Sequence, residues 1–406
     1  MNKKLLALAV TSALAGVSAG VNADTANVTV YGKLFPEFQT DSGHGATAAG
    51  SISSSLANAA GADVVSHQEV SVGNSNIGFK GEDSLGGGMK GWFQVEQDMK
   101  LDVGTGQWAN RNSAVGLAGG FGNVFLGNWD TVYKQLGDPV GFLDGLNLSL
   151  QVLSANVLSR PAFSTGVSGT DLSSFHVRQK NDIEYDSPKF GGFTVMLNYS
   201  PDEAKTLNKD AYLRDIGVKF EQGPLYVAFA NEVHKDFFGA SSTLPGTIAN
   251  PAPSATNGLH SKDTATRLSA KYTLPSNTTL GIDVAQMEYK EDNGAVNHFE
   301  SYKHKAVSLV AQQQMGNLGF AASLVKAEKG TCSLAGGANC DTSGMDGQML
   351  NLGVRYNFSK RTGVFALYSK ITNKDSAQFN NIGSSVTTIS PGADPEAFGV
   401  GIITSF

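Results

Sequence analysis

The sequence predicts an all-β chain of sixteen antiparallel strands closed into a membrane-spanning barrel, and three observations predict it. Period-2 alternation recurs along the chain, connections between the alternating segments are short and long in turn, and the chain stops inside an alternating segment on an aromatic residue, Phe406.

The alternation is clearest in three places. In Met89 to Asp98, residues Lys90, Trp92, Gln94, Glu96 and Asp98 share one face, and Gly91, Phe93 and Val95 share the other. Phe193, Val195, Leu197 and Tyr199 alternate with Thr194, Met196 and Asn198. Leu350, Leu352, Val354, Tyr356 and Phe358 alternate with Met349, Asn351, Gly353, Arg355 and Asn357. One face is apolar and the other carries charges. A soluble sandwich and a membrane barrel with a wet lumen both produce this pattern, so length and loop sorting must separate them.

Sixteen segments read as strands: 28–38, 70–81, 89–99, 109–119, 122–129, 178–186, 191–200, 212–220, 224–234, 264–273, 278–290, 302–314, 317–328, 348–358, 361–370 and 397–406. Most have about ten residues, which at ~3.3 Å each and ~45° of tilt cover roughly 25 Å of bilayer. Short turns such as Glu82 to Gly88, Gly120-Phe121 and Ser187 to Lys189 alternate with long segments such as 39–69, 130–177 and 235–263. A barrel sorts its loops to two sides in this way, and a sandwich has no reason to. The last strand ends mid-alternation, which makes sense if it pairs with Val28 to Phe38 and closes the barrel.

Composition narrows the function. Charged residues make up 16 % of the chain, and the formal charge is −6. No cluster of Lys and Arg offers a nucleic-acid footprint. Asn2-Lys3-Lys4, the apolar run Leu5 to Val17 and the small-x-small site Val21-Asn22-Ala23 read as a secretory signal, residues 1–23, cleaved to leave a barrel domain of 24–406. No later stretch is long and apolar enough for a transmembrane helix. Cleavage removes Lys3 and Lys4 and leaves 28 basic against 36 acidic residues. Export makes a disulfide between Cys332 and Cys340 the expected use of the two cysteines. Two thiols with no adjacent histidine make a poor zinc site, so no metal or other cofactor is expected.

Motifs for chemistry are weak. Gly86-Gly87-Gly88 lacks a following Lys-Ser/Thr and lies between strands, so it reads as a turn rather than a phosphate cradle. The seven histidines show no helical pair spacing, no Gly-x-Ser-x-Gly occurs, and no carboxylate pair stands out as acid and base. An enzyme is not expected. Tyr31, Tyr199, Tyr272, Tyr356 and Phe358 near strand ends read as aromatic girdles.

Specific stretches resemble the trimeric porins of proteobacteria, especially the neisserial and β-proteobacterial type. They are Val28 to Lys33 (Val-Thr-Val-Tyr-Gly-Lys), Ile77 to Asp83 (Ile-Gly-Phe-Lys-Gly-Glu-Asp) with Leu85 to Gly88, Val115-Gly-Leu117, Phe121 to Val124, Tyr185 to Phe193 and the terminal Phe406. The resemblance spans the mature chain. It implies an outer-membrane homotrimer, a third outer loop (Asp130 to Val177) folded into the pore, passage of ions and small hydrophilic solutes, and a terminal Phe406 read by the outer-membrane assembly machinery. It places Arg111 and Arg178 on the barrel wall at the constriction, opposite Asp130, Asp138 and Asp144 of the third loop; Lys80, inward-facing by the strand pattern, is expected on the same wall. Two positions depart: the family usually has Arg where this chain has Asn76 and Asn128. The resemblance therefore implies a constriction less basic than is usual. A substrate-selective channel of the same build and a plugged structural or adhesive barrel share these features, and single-channel recording separates the three.

Overall fold

The computed structural model describes the chain apart from residues 1–26, 49–61, 105, 107, 142–151, 164–172, 204–208, 239, 241–259, 293–295, 338–339 and 383–388. The expected signal segment lies outside the described residues. Among those described, sixteen antiparallel strands form one closed wall. β1 comprises Asn27–Leu34 and Glu37–His44, and β2 comprises Val64–Ser71 and Asn76–Gly86. Then follow β3 Met89–Asp98, β4 Ser113–Gly119, β5 Gly122–Asp130, β6 Arg178–Asp186, β7 Phe193–Pro201 and β8 Tyr212–Gln222. The wall continues with β9 Leu225–Lys235, β10 Lys262–Thr273, β11 Thr278–Lys290 and β12 Phe299–Met315. It ends with β13 Leu318–Ala327, β14 Gly347–Asn357, β15 Thr362–Asn373 and β16 Asp394–Ser405.

Each strand pairs with the next, and β16 pairs with β1. The closing register sets Leu34 opposite Thr404 and Lys33 opposite Ser405, and Phe406 N–H donates to the Gly32 carbonyl at 3.0 Å. Gly32 is needed there, because a Cβ would lie 2.8 Å from the Phe406 ring and 2.5 Å from the Asn76 carbonyl oxygen. The β2–β3 turn shows the other use of glycine: Gly86, Gly87 and Gly88 all have positive φ, a region L side chains rarely enter.

The wall is inside-out relative to a soluble domain. Val28, Leu126 and Ile402 are more than half exposed, whereas Glu232, Asp283 and Asn351 are fully buried. With no water in a bilayer core, apolar side chains belong outside and polar ones inside, and closure satisfies every strand edge. Tyr199, Tyr272, Tyr356 and Phe358 stand on the outer surface, as girdle residues should. Tyr31 does not. Its hydroxyl donates to Glu96 Oε2 at 3.0 Å, which makes it a lumen residue.

Several boundaries differ from the sequence reading. β1 continues past Phe35-Pro36 to His44, β2 begins at Val64, and β12 begins at Phe299. These extensions carry polar residues on both faces, because strands rising above the bilayer need no apolar outer face. β4 starts at Ser113 rather than at 109, since Asn110 and Asn128 hold the preceding residues in another arrangement.

Thr331–Leu334, in the long connection after β13, forms an extra short strand on β12, with Cys332 opposite Tyr302. The expected disulfide is present: Cys332 and Cys340 are bonded, with a Cα–Cα distance of 5.7 Å. By chain entropy a loop this short gains ~2–3 kcal/mol from closure. Reduction is expected to raise the rate of proteolysis within residues 329–346 while leaving the barrel's thermal transition unchanged. Loss of the whole barrel on reduction would show that this rim loop holds the wall together.

Candidate functional site: a lumen narrowed by the third loop

The third loop leaves the wall after β5 and enters the lumen as α1, Val132–Gly141, followed by the short α2, Ala155–Leu158. Val132, Tyr133, Leu136 and Val140 are buried against the wall, where α1 lies over β8 to β12. Wall glycines make room for it. A Cβ on Gly217 would sit 2.4 Å from Leu136, and one on Gly281 would sit 3.0 Å from Val140. Polar groups then fix it in place. Asp215 accepts from the Val132 N–H at 2.8 Å, so a carboxylate meets the positive end of the helix. Tyr226 donates to the Leu136 carbonyl at 2.6 Å. Gln135 donates to Glu184 at 2.9 Å.

Arg267 of β10 is fully buried behind this helix. It pairs with Asp283 of β11 and lies 5.3 Å from the centre of the Tyr133 ring. Its guanidinium occupies the space that a Cβ on Gly137 of α1 would need. Further along, Tyr289 donates to the Ser173 carbonyl at 2.7 Å, and Asn351 donates to the Val152 carbonyl at 3.1 Å. The loop is thus docked across the wall from β8 to β14, which leaves the lumen face of β1 to β5 as the opposite bank.

On that bank the expected residues take up defined places. Arg111 donates to Glu96 at 2.5 Å and to Asp98 at 2.9 Å, both on β3. Asn76 stands between Lys33 of β1 and Asp98 of β3, and its amide donates to the Asn74 carbonyl at 3.0 Å. Lys80 lies 5.1 Å from the Tyr31 ring centre. Asn128 donates to the carbonyls of Ala109 and Arg111 at 3.2 and 3.0 Å, so it positions the segment that carries Arg111.

The loop acids depart from expectation. Asp130 is not on the third loop; it is the last residue of β5, directly opposite Arg178 of β6. The two side chains pair at 2.9 Å, and Lys134 of α1 joins Asp130 at 2.7 Å. Asn112 completes the cluster, accepting from Arg178 at 2.6 Å and donating to Asp130 at 3.0 Å. Asp138 lies on the third loop, within α1, but it meets His176 Nε2 at 2.6 Å rather than an arginine. Burial pushes the His176 ring below its ordinary pKa, against the pull of Asp138, which favours a neutral ring donating its Nε2–H. Asp144 lies outside the described residues. Among the described residues, neither Arg111 nor Arg178 pairs with a loop acid; Arg111 is matched by Glu96 and Asp98, and Arg178 by Asp130, all on the wall.

Residues 7–376 match the model of the Gram-negative porin family. This chain belongs to that family. It is 26 % identical over 300 residues to the major outer membrane protein P.IB of Neisseria lactamica, covering 74 % of this chain and 77 % of the relative. Its fold is similar to that of an anion-selective porin from Comamonas acidovorans, with a TM-score of 0.69 at 21 % identity over 94 % of this chain and all of the other. It is also similar to the trimer form of OmpT, an outer membrane protein of Vibrio cholerae, with a TM-score of 0.59 at 18 % identity over 94 % of this chain and all of that one. The porin is therefore an outer-membrane diffusion channel, and the docked third loop and the bank of β1 to β5 are the two sides of its lumen.

Sequence reasoning missed Glu96, Asp98, Asn112 and Lys134 as members of the site. The signal for two of them was present, because Glu96 and Asp98 share the polar face of β3 with Lys90 and Trp92.

Proposed function

We propose that ions and small hydrophilic solutes cross this porin passively, through the gap between α1 and the lumen face of β1 to β5, with the size limit set by the docked loop. We further propose that charge at the gap is nearly balanced. The observation that carries this is the double engagement of Arg111 by Glu96 and Asp98. Charges paired on one bank project a weaker transverse field than arginines facing acids across water. Asn76 and Asn128 themselves add no positive charge to this bank.

Single-channel recording in a salt gradient tests this reading. Ohmic steps with a reversal potential near zero, or slightly toward cations, are expected. Strong anion preference would overturn the charge balance. Solute-dependent block would favour a selective channel, and silence would mean a plugged barrel.

Homotrimer assembly is part of the proposal, supported by membership of the family and by the likeness to a Vibrio cholerae protein described in a trimer form. Export through a cleaved segment 1–23 and reading of Phe406 by the assembly machinery complete the proposal. Phe406 is half exposed at the closing seam, so its side chain is open to a partner. Deleting Phe406 is expected to reduce the amount of barrel reaching the membrane in cells while leaving refolding in detergent micelles intact. Equal loss in both settings would make its role purely structural.

A further inference from the structure

The outer surface of the porin carries cations where the apolar band ends. On β12, Tyr302, His304, Ala306 and Ser308 point inward and are buried. By period 2, Lys303, Lys305, Val307 and Leu309 point outward. On β13 the outward set is Leu324 and Lys326, with Lys326 directly opposite Val307. Lys305 and Lys326 are therefore diagonal neighbours on one face, and Lys303 stands one step above them.

The three lysines lie toward the long-loop end of the wall. Directly below them Leu309, Leu324 and Leu350 are exposed, half or nearly so, as a lipid-facing surface must be. None of the three lysines has an ion-pair partner among the described residues. Two acids are near. Glu288 faces Lys303 across the β11–β12 ladder, but it is engaged by Lys290 at 3.0 Å. Glu328 follows the end of β13, exposed and of the same outward parity as Lys326; its backbone N–H donates to the Lys305 carbonyl at 2.8 Å, and its carboxylate forms no ion pair with the lysines among the described residues.

An unmatched cation triad on top of an apolar wall is complementary to one kind of molecule: a lipid whose acyl chains lie on the leucines and whose phosphates reach the ammonium groups. Each lysine near such a surface contributes about 1 kcal/mol, and phosphate is a strong charge-assisted acceptor. We propose that Lys303, Lys305 and Lys326 form a docking site for the phosphate groups of a multiply acylated, phosphorylated glycolipid in the outer leaflet. The site rests on the outer-membrane placement of the channel, and lipid binding is read apart from conductance.

The test uses the full trimer in detergent, titrated with bisphosphorylated lipid A and with its dephosphorylated form, and followed by native mass spectrometry. The wild-type protein should retain the phosphorylated form preferentially. The triple variant K303Q/K305Q/K326Q should lose roughly a hundredfold in affinity, with unchanged single-channel conductance. Lys189→Gln, at the short-turn end, should bind as the wild type does. Equal binding of both lipids by the wild type would overturn the site, since snorkelling lysines without phosphate recognition behave that way. Undiminished binding by the triple variant would also overturn it. If the triple variant fails to assemble, the single changes K305Q and K326Q decide the matter: each should cost several-fold, and no loss in either refutes the site.

Discussion

Alanine at position 137 is expected to loosen the docked third loop by about 2–4 kcal/mol and to turn steady openings into noisy ones. The reason is a contact between helix backbone and a buried cation. A Cβ on Gly137 would lie 1.7 Å from the Arg267 guanidinium carbon, so one of the two must move. If Arg267 swings away, Asp283 is left buried without its partner, at a cost of about 3–5 kcal/mol. If α1 lifts instead, the buried contacts of Leu136 with Gly217 and of Val140 with Gly281 open. Alanine's better helix propensity, about 1 kcal/mol over glycine, opposes both effects and is too small to win. Thermal unfolding in detergent and open-channel current variance measure the outcome. Gly120→Ala is the matched control, because nothing lies within 4 Å of the Cβ it would carry. A Gly137→Ala channel as stable and as quiet as that control would show that Arg267 does not hold the helix.

The same helix explains why the fold was legible in the sequence and the site only partly so. Strand parity is local. Most wall residues from Val28 to Ile402 declare their face by their neighbours, and that rule, with strand length and the sorting of the loops, predicted sixteen strands. The docking of α1 is not local. It depends on Gly217 of β8, Gly281 of β11 and Gly137 of the loop coming together, and a glycine inside a strand says only that something approaches closely. Asp130 was misplaced for a related reason. It closes β5 by pairing with Arg178, and a strand's final residue has no following alternation to reveal it. The partners of Arg111 could have been found, since Glu96 and Asp98 share the polar face of β3. Their proximity to residue 111 depends on Arg111 N–H donating to the Glu96 carbonyl at 3.1 Å just before β4 begins, which no spacing announces.

Arginine at position 76 should move the channel toward anions, by about fivefold in the chloride-to-potassium permeability ratio. Two effects act in the same direction. The substitution adds a positive charge to a bank whose arginine is already matched, and a unit charge about 4 Å from the ion path is worth ~1 kcal/mol even at the dielectric of water. It also competes for Asp98, which stands opposite position 76 and already accepts from Arg111 at 2.9 Å and from Asn110 at 3.1 Å. Whatever share of Asp98 the new guanidinium takes is released from Arg111 to the lumen. Lys33, on the other side of position 76, repels the newcomer and pushes it toward Asp98. The shift should shrink as salt rises, because the screening length falls from about 10 Å at 0.1 M to about 3 Å at 1 M. Reversal potentials across a potassium chloride gradient at two mean concentrations measure both the sign and the screening. Glu96→Gln supplies an independent check, since it removes one of the two carboxylates matched to Arg111 without adding bulk at position 76. Should Asn76→Arg leave the reversal potential in place while Glu96→Gln moves it, Arg111 would govern selectivity and position 76 would not face the ion path. If neither moves it, selectivity is set away from the bank of β1 to β5.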